Sequence, residues 1–376
     1  MRGLAALSVV CGHWLAASPT VGVGPVNGPL MFVLNHLLST PLAAFVAGSQ
    51  MVILFFVLSG MVLALPRIAG RKIPYGRYLL ARALRLYPAA WTAAALSVLV
   101  FVVVGPHMEH GVTTWVRLQF DGRLPSSSIF HAVGVILPFD TTRLDGPMWS
   151  LEQELRMSVL LPLLVFVVRR YHAPAVFAIA TVLIVEGTAS TYILSSWRWT
   201  PVAAGCFLLG ILLARHREAL NHRWATMSKP TRRLVGLGIL LAFWLPTYWS
   251  NLALIQRLLF NLMPALGACA FIVAAQGAGL RQRLSTRVPA WLGRISYSLY
   301  LVHVIVMHLV LGWRPAGVGV IDLAPLGIAL SLAVATLMHR YVEAPGIALG
   351  RRLARPRAKR RLAGSDISTE VTAAHP

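Results

Sequence analysis

Runs of largely uncharged residues recur along the whole chain, each about the length that a helix needs to cross a bilayer. Ten are read, at 3–20, 42–65, 80–104, 147–168, 173–194, 198–214, 234–250, 255–275, 294–312 and 320–340. In hydrocarbon a backbone must satisfy its own polar groups, so such runs fold as helices. The predicted fold is therefore all-α, a polytopic membrane protein of about ten transmembrane helices. Composition agrees: 57% of the 376 residues are hydrophobic, 12% are charged, and the mean hydropathy is +0.69. No soluble globular domain has this balance. A signal peptide is a second reading of the first run, with Leu15-Ala16-Ala17-Ser18 as its end, but the membrane-embedded remainder favours a retained helix.

The formal charge of +22 invites nucleic acid as a partner, and its distribution argues against that. With the N-terminus inside, all but seven of the 34 Lys and Arg fall on one side of the membrane. Arg117, Arg123, Arg143, Arg198, Arg257 and Arg314 lie outside, and Arg156 lies within a span. This positive-inside pattern makes both termini cytoplasmic in a multi-pass protein of the plasma membrane. It leaves loops 66–78 and 215–233 inside, facing anionic lipid headgroups, and 105–146 outside. Residues 1–346 read as one transmembrane domain and 347–376 as a basic, disordered cytoplasmic tail. Ile129 to Phe139 is too short to span and reads as a re-entrant or interfacial piece, or as a loop with one buried turn. Cys11, Cys206 and Cys269 show no metal or disulfide spacing and read as small buried hydrophobes.

Ionisable groups inside a membrane are costly and mark site candidates. Arg2 and His13 stand eleven positions apart in the first run, close to three helical turns, so they share a face. The alternatives are a topogenic charge and a packed imidazole. Arg82 and Arg85, three apart, are placed to grip one polyanion, or else add to the positive-inside charge. Trp149-Ser150-Leu-Glu152-Gln-Glu154 opens the fourth span. Its two carboxylates face different ways, so at most one meets an interior cavity, and an ion pair with Arg156 is the structural alternative. Ser150 shares the face of Glu154. Phe55-Phe56-Val-Leu-Ser59-Gly60 reads as a small-residue break or a close helix contact. Tyr297, Tyr300 and His303 form one stripe on the ninth span. Glu343-Ala-Pro345 closes the tenth, with Glu343 as a site residue or as a helix-end acid paired to an Arg.

Taken in order, these motifs resemble the acyltransferase-3 family of integral membrane enzymes, from Arg2 to about Pro345. Each is weak alone, but six in sequence are specific. The resemblance implies O-acyl transfer, often acetyl, from acyl-coenzyme A to a hydroxyl of a carbohydrate, a glycolipid or a glycosylated small molecule. It implies His13, Glu154 and His303 as catalytic residues, with His13 as base or acyl carrier. Arg2, Arg82 and Arg85 become donor-binding residues, with Arg2 also the partner of His13. Ser59, Trp149, Ser150, Tyr297, Tyr300 and Glu343 complete the motifs. No metal is implied. The sequence departs from the family at Met157-Ser158, where an aromatic pair is common, and at Ala344, where a basic residue is common. An imidazole titrates near neutral pH and suits a base, while guanidiniums suit the phosphates of coenzyme A. The rival reading is a transporter or flippase of glycolipid or lipid-linked sugar, which intramembrane charges also fit. Against it, no internal repeat is visible.

Overall fold

The computed structural model describes residues 1–19, 29–105, 111–120, 145–189, 199–248 and 254–354. Its regular elements are helical, with no strand among the described residues. In chain order they are α1 (Arg2–Ala17), α2 (Pro29–Leu38), α3 (Gly48–Ile68), α4 (Tyr75–Val104), α5 (Thr114–Phe120), α6 (Met148–Arg170), α7 (Ala173–Ala189) and α8 (Trp199–Arg215). There follow α9 (Arg217–Thr226), α10 (Lys229–Tyr248), α11 (Leu254–Gln276), α12 (Ala278–Leu284), α13 (Arg287–Gly312), α14 (Ala324–Met338) and α15 (Ala344–Ala354). Each of the ten apolar runs holds a helix.

By length and hydropathy, four stretches among the described residues are able to cross a membrane alone: α3, α4, α13 and Ile321–Leu353, which contains α14 and α15. Two bent pairs raise the number to six: α8 with α9 at 73°, and Phe260–Gln276 with α12 at 91°. The sequence predicts ten, and by these criteria the described residues show four to six of them. α1, with 16 residues, and α7, with 17, are shorter apolar helices. α6 carries Glu152, Glu154 and Arg156 near one end and Arg169 and Arg170 at the other. α10 opens on Lys229, Arg232 and Arg233.

Two local expectations also change. α3 runs unbroken through Ser59 and Gly60, so these residues mark a helix contact and not a break. Glu343 does not end a helix. A π turn, His339–Glu343, leads from α14 into α15, which continues to Ala354. The predicted re-entrant piece Ile129 to Phe139 and the chain from 355 onward lie outside the described residues.

Within lipid, helices associate through packing, so small residues decide which pairs come closest. A Cβ at Gly3 would stand 2.3 Å from the Leu292 carbonyl carbon, which locks the start of α1 onto α13. A Cβ at Gly60 would meet the Phe207 carbonyl oxygen at 2.5 Å, and one at Gly210 the Val57 carbonyl oxygen at 2.1 Å. These two glycines seat α3 against α8. Buried apolar side chains form two clusters. One joins α1, α4, α13 and α14, the other α3, α7, α8, α10 and α11. α6 enters both, through Met148, Leu151 and Leu155 in the first and Met157, Leu161 and Leu164 in the second. Glu152, Glu154 and Arg156 therefore sit where the two clusters meet.

Candidate functional site

The close approach of α1 and α13 brings together two imidazoles that are 290 positions apart. His13 Nδ1 lies 2.7 Å from His303 Nε2. The rings are 5° from parallel, with centroids 5.0 Å apart. That separation is what two imidazoles show when joined edge to edge in one plane through a ring-nitrogen hydrogen bond. His303 Nδ1 is 3.2 Å from the Leu299 carbonyl oxygen. A carbonyl only accepts, so Nδ1 of His303 carries the proton and its Nε2 accepts from His13 Nδ1–H. The chain of bonds leaves His13 Nε2 with a free lone pair. Trp115 stacks on His13 at 4.9 Å and 20°, while His303 is fully buried.

Glu154 gathers the second set of predicted residues. It accepts from Arg82 at 2.7 Å and lies 3.8 Å from the Arg2 guanidinium. Ser59 accepts from Arg2 at 2.7 Å and donates to Glu154 at 3.4 Å. Arg82 also donates to Ser158, 3.2 Å away, and is buried. The sequence places Arg82 as a ligand grip; the fold sets it as the counter-ion of Glu154. Arg2, on the face of α1 that also carries His13, contacts Ser59 and Glu154.

A narrow cavity of 60 Å³ runs through this cluster. Arg2, Ser59, Arg85, Ser150, Glu154, Tyr297 and Tyr300 supply its polar wall, and Val52, Phe55, Phe56, Leu86 and Leu151 its apolar one. Tyr300 connects the cavity to the imidazole pair, its ring centroid 5.8 Å from that of His303. Ser150 gives its hydroxyl proton to the Pro147 carbonyl at 3.1 Å, so Tyr300 donates to Ser150 at 2.7 Å. Tyr297 donates to the Leu86 carbonyl at 2.8 Å. Arg85 also walls a second cavity of 260 Å³, shared with Arg67, Tyr78, Arg82 and Arg351. Arg67 in turn walls a third, of 600 Å³, with Arg71, Lys72 and Arg169. Three cavities thus adjoin, and basic side chains line the wider two. In the sequence, Arg67, Arg71, Lys72 and Arg169 carry no signal beyond membrane orientation.

The remaining predicted residues divide. Trp149 is a packing residue, against Trp199 at 4.7 Å and Phe56 at 6.3 Å. Glu152 forms the foreseen ion pair with Arg156. Glu343 is buried, and its partners are Ser298 at 2.8 Å and His339 at 2.9 Å, where an arginine was expected. Among the described residues no cluster of three or more His, Cys, Asp or Glu has the geometry of a metal site.

A family model described as an acyltransferase domain, of the acyltransferase-3 type, matches residues 1–340. The chain is also 26% identical over 341 residues to Acyltransferase MdmB of Streptomyces mycarofaciens, covering 81% of this chain and 82% of that protein. No solved structure matches.

Proposed function

We propose, from the premise that this chain belongs to the acyltransferase-3 family of membrane acyltransferases, a specific reaction. An acyl group, acetyl in the simplest case, moves from acyl-coenzyme A to a hydroxyl of a carbohydrate, glycolipid or glycosylated small molecule. The observation that carries this reading is the hydrogen-bonded imidazole pair. With its Nδ1 proton committed to His303, His13 offers Nε2 as a general base. It takes the proton of the acceptor hydroxyl as the oxygen attacks the thioester carbonyl carbon. The carbon–sulfur bond then breaks, and the departing thiolate recovers that proton from His13.

The charge arrangement supports the donor's side of the reaction. Arg85 stands between the narrow cavity and the wider basic ones, its Nε buried and without a hydrogen-bond partner among the described residues. The phosphates of coenzyme A would lie among Arg67, Arg71, Lys72 and Arg351, and the acyl end would reach past Arg85. Glu154 holds Arg2 and Arg82 in place. Ten spans, cytoplasmic termini and a plasma-membrane location go with this reading, since they put the basic cavities on the side where acyl-coenzyme A is made. Family membership favours an enzyme over a carrier.

The test uses the full chain in lipid nanodiscs with labelled acetyl-coenzyme A and a panel of glycans. Transfer of label to a glycan is expected. In His13→Ala it should fall by at least about a hundredfold while folded protein is retained. Near wild-type turnover in that variant would remove His13 from the reaction.

A further inference from the structure

We infer that Asp145, Gln119 and Trp115 form a binding subsite for the ring hydroxyls of a sugar-bearing acceptor. The inference rests on the acyl-transfer reading only for the word acceptor. α5 is pinned to the end of α1 opposite Arg2: Thr113 donates from its backbone to the Ala17 carbonyl at 3.1 Å and from its hydroxyl to that of Ala16 at 2.9 Å. This pin brings Trp115 onto His13. Gln119 follows one turn later on the same face of α5. Its carboxamide lies against Gly146, where a Cβ would stand 2.7 Å from both the amide oxygen and nitrogen, so any larger residue would push it aside. Asp145 precedes that glycine.

Asp145 is 1% exposed, and both of its carboxylate oxygens are buried with no hydrogen-bond donor among the described residues. Gln119 Oε1 is buried in the same condition. The Asp145 side chain does not cap α6 either, because the Met148 amide bonds to its backbone oxygen at 3.0 Å. Buried acceptors are normally satisfied, and an unpaired buried carboxylate works against folding, so three such oxygens need a reason. Their complement is a group rich in O–H donors. Trp115 adds a flat apolar surface suited to the C–H face of a sugar ring. Asp145 also lies within electrostatic reach of Tyr300, which adjoins His303. A hydroxyl-bearing ring held here is beside the imidazole pair, at the opposite end of α1 from the arginine cluster. Carboxylate and carboxamide oxygens also suit a hard cation, but a cation would leave the placement of Trp115 unused.

The experiment measures the melting temperature of the full chain in nanodiscs with the methyl glycosides of glucose, galactose and mannose, and separately with calcium chloride. At least one glycoside should raise the melting temperature of the wild-type protein. Asp145→Asn should abolish that rise and leave the unliganded protein as stable or more so. Gln119→Ala should weaken the rise, and it carries the test if Asp145→Asn fails to fold. A glycoside response that survives both substitutions would overturn the subsite. So would no response to any of the three sugars, or a response to calcium alone. A glycoside response without any acetyl transfer would leave the subsite standing and remove the transfer reading.

Discussion

Glu152 and Glu154 stand two residues apart on α6, and each accepts a hydrogen bond from an arginine, yet they serve different regions. Glu152 pairs with Arg156, one turn along the same helix, with side chains 4% and 6% exposed. Arg156 also donates to Thr200 at 2.9 Å, and Thr200 to Gln153 at 2.9 Å. Among the described residues the pair sets one carboxylate against one guanidinium, with Thr200 and Gln153 bonded beside it. Glu154 is 20% exposed, lies on a cavity, and is one carboxylate beside Arg2, Arg82 and Arg85. The two sites have the same chemistry but different balance. A buried pair fixes how helices sit, whereas an excess of cations beside an opening leaves positive charge available for an anion.

The largest effect should come from breaking the buried pair. Glu152→Gln removes the carboxylate charge that the buried Arg156 guanidinium bonds to, and stability should fall by about 3–5 kcal/mol. Chemical denaturation in nanodiscs measures this, and the activity per folded molecule should stay at the wild-type value. Replacing both partners by apolar side chains of similar bulk, Glu152→Met together with Arg156→Leu, should recover most of the loss. Failure to recover would give the pair a role beyond packing.

Breaking the open site should reverse the pattern. Glu154→Gln frees Arg2 and Arg82 from the charge that orients them, and acyl transfer per folded molecule should drop by about 10²- to 10³-fold. Parallel losses of activity per folded molecule in Glu152→Gln and Glu154→Gln would erase the distinction between the two regions.

The smallest effect sharpens the donor assignment. Arg85→Ala should raise the apparent KM for acetyl-coenzyme A by about ten- to a hundredfold, the equivalent of one lost charged contact. Lys at this position should restore only part, because an ammonium lacks the planar fork. With acetyl-pantetheine as donor the penalty should shrink. An equal penalty with both donors would return Arg85 to a structural role.

Much of the fold is legible in the sequence because apolar run length reports helices directly. The faces are legible too. Ser150 and Glu154 share a cavity as their four-residue spacing requires, and Tyr297, Tyr300 and His303 do form one stripe. Periodicity says which way a side chain points, but not what stands opposite. The pairing of His13 with His303 depends on Gly3 meeting Leu292, a contact between segments with no common signal. Arg82 looks like surface charge because nothing local reveals that Glu154 and Ser158 cover it. Asp145 and Gln119 are ordinary polar residues in a long loop until the fold buries their oxygens.

The π turn His339–Glu343 has a consequence for how the last part of the chain is phased. A π turn holds one more residue than an α turn, so it shifts the angular register of all that follows by about 100°. Before the shift the helix side is set by α14; after it, Gly346 and Gly350 face α4, where a Cβ would stand 2.3 Å from the Leu84 carbonyl oxygen and 3.2 Å from that of Ala81. Glu343, at the turn itself, stays aimed at Ser298 of α13. One extra residue thus lets a single rod serve two neighbours that lie at different angles around it, and losing that residue would turn the glycines away from α4.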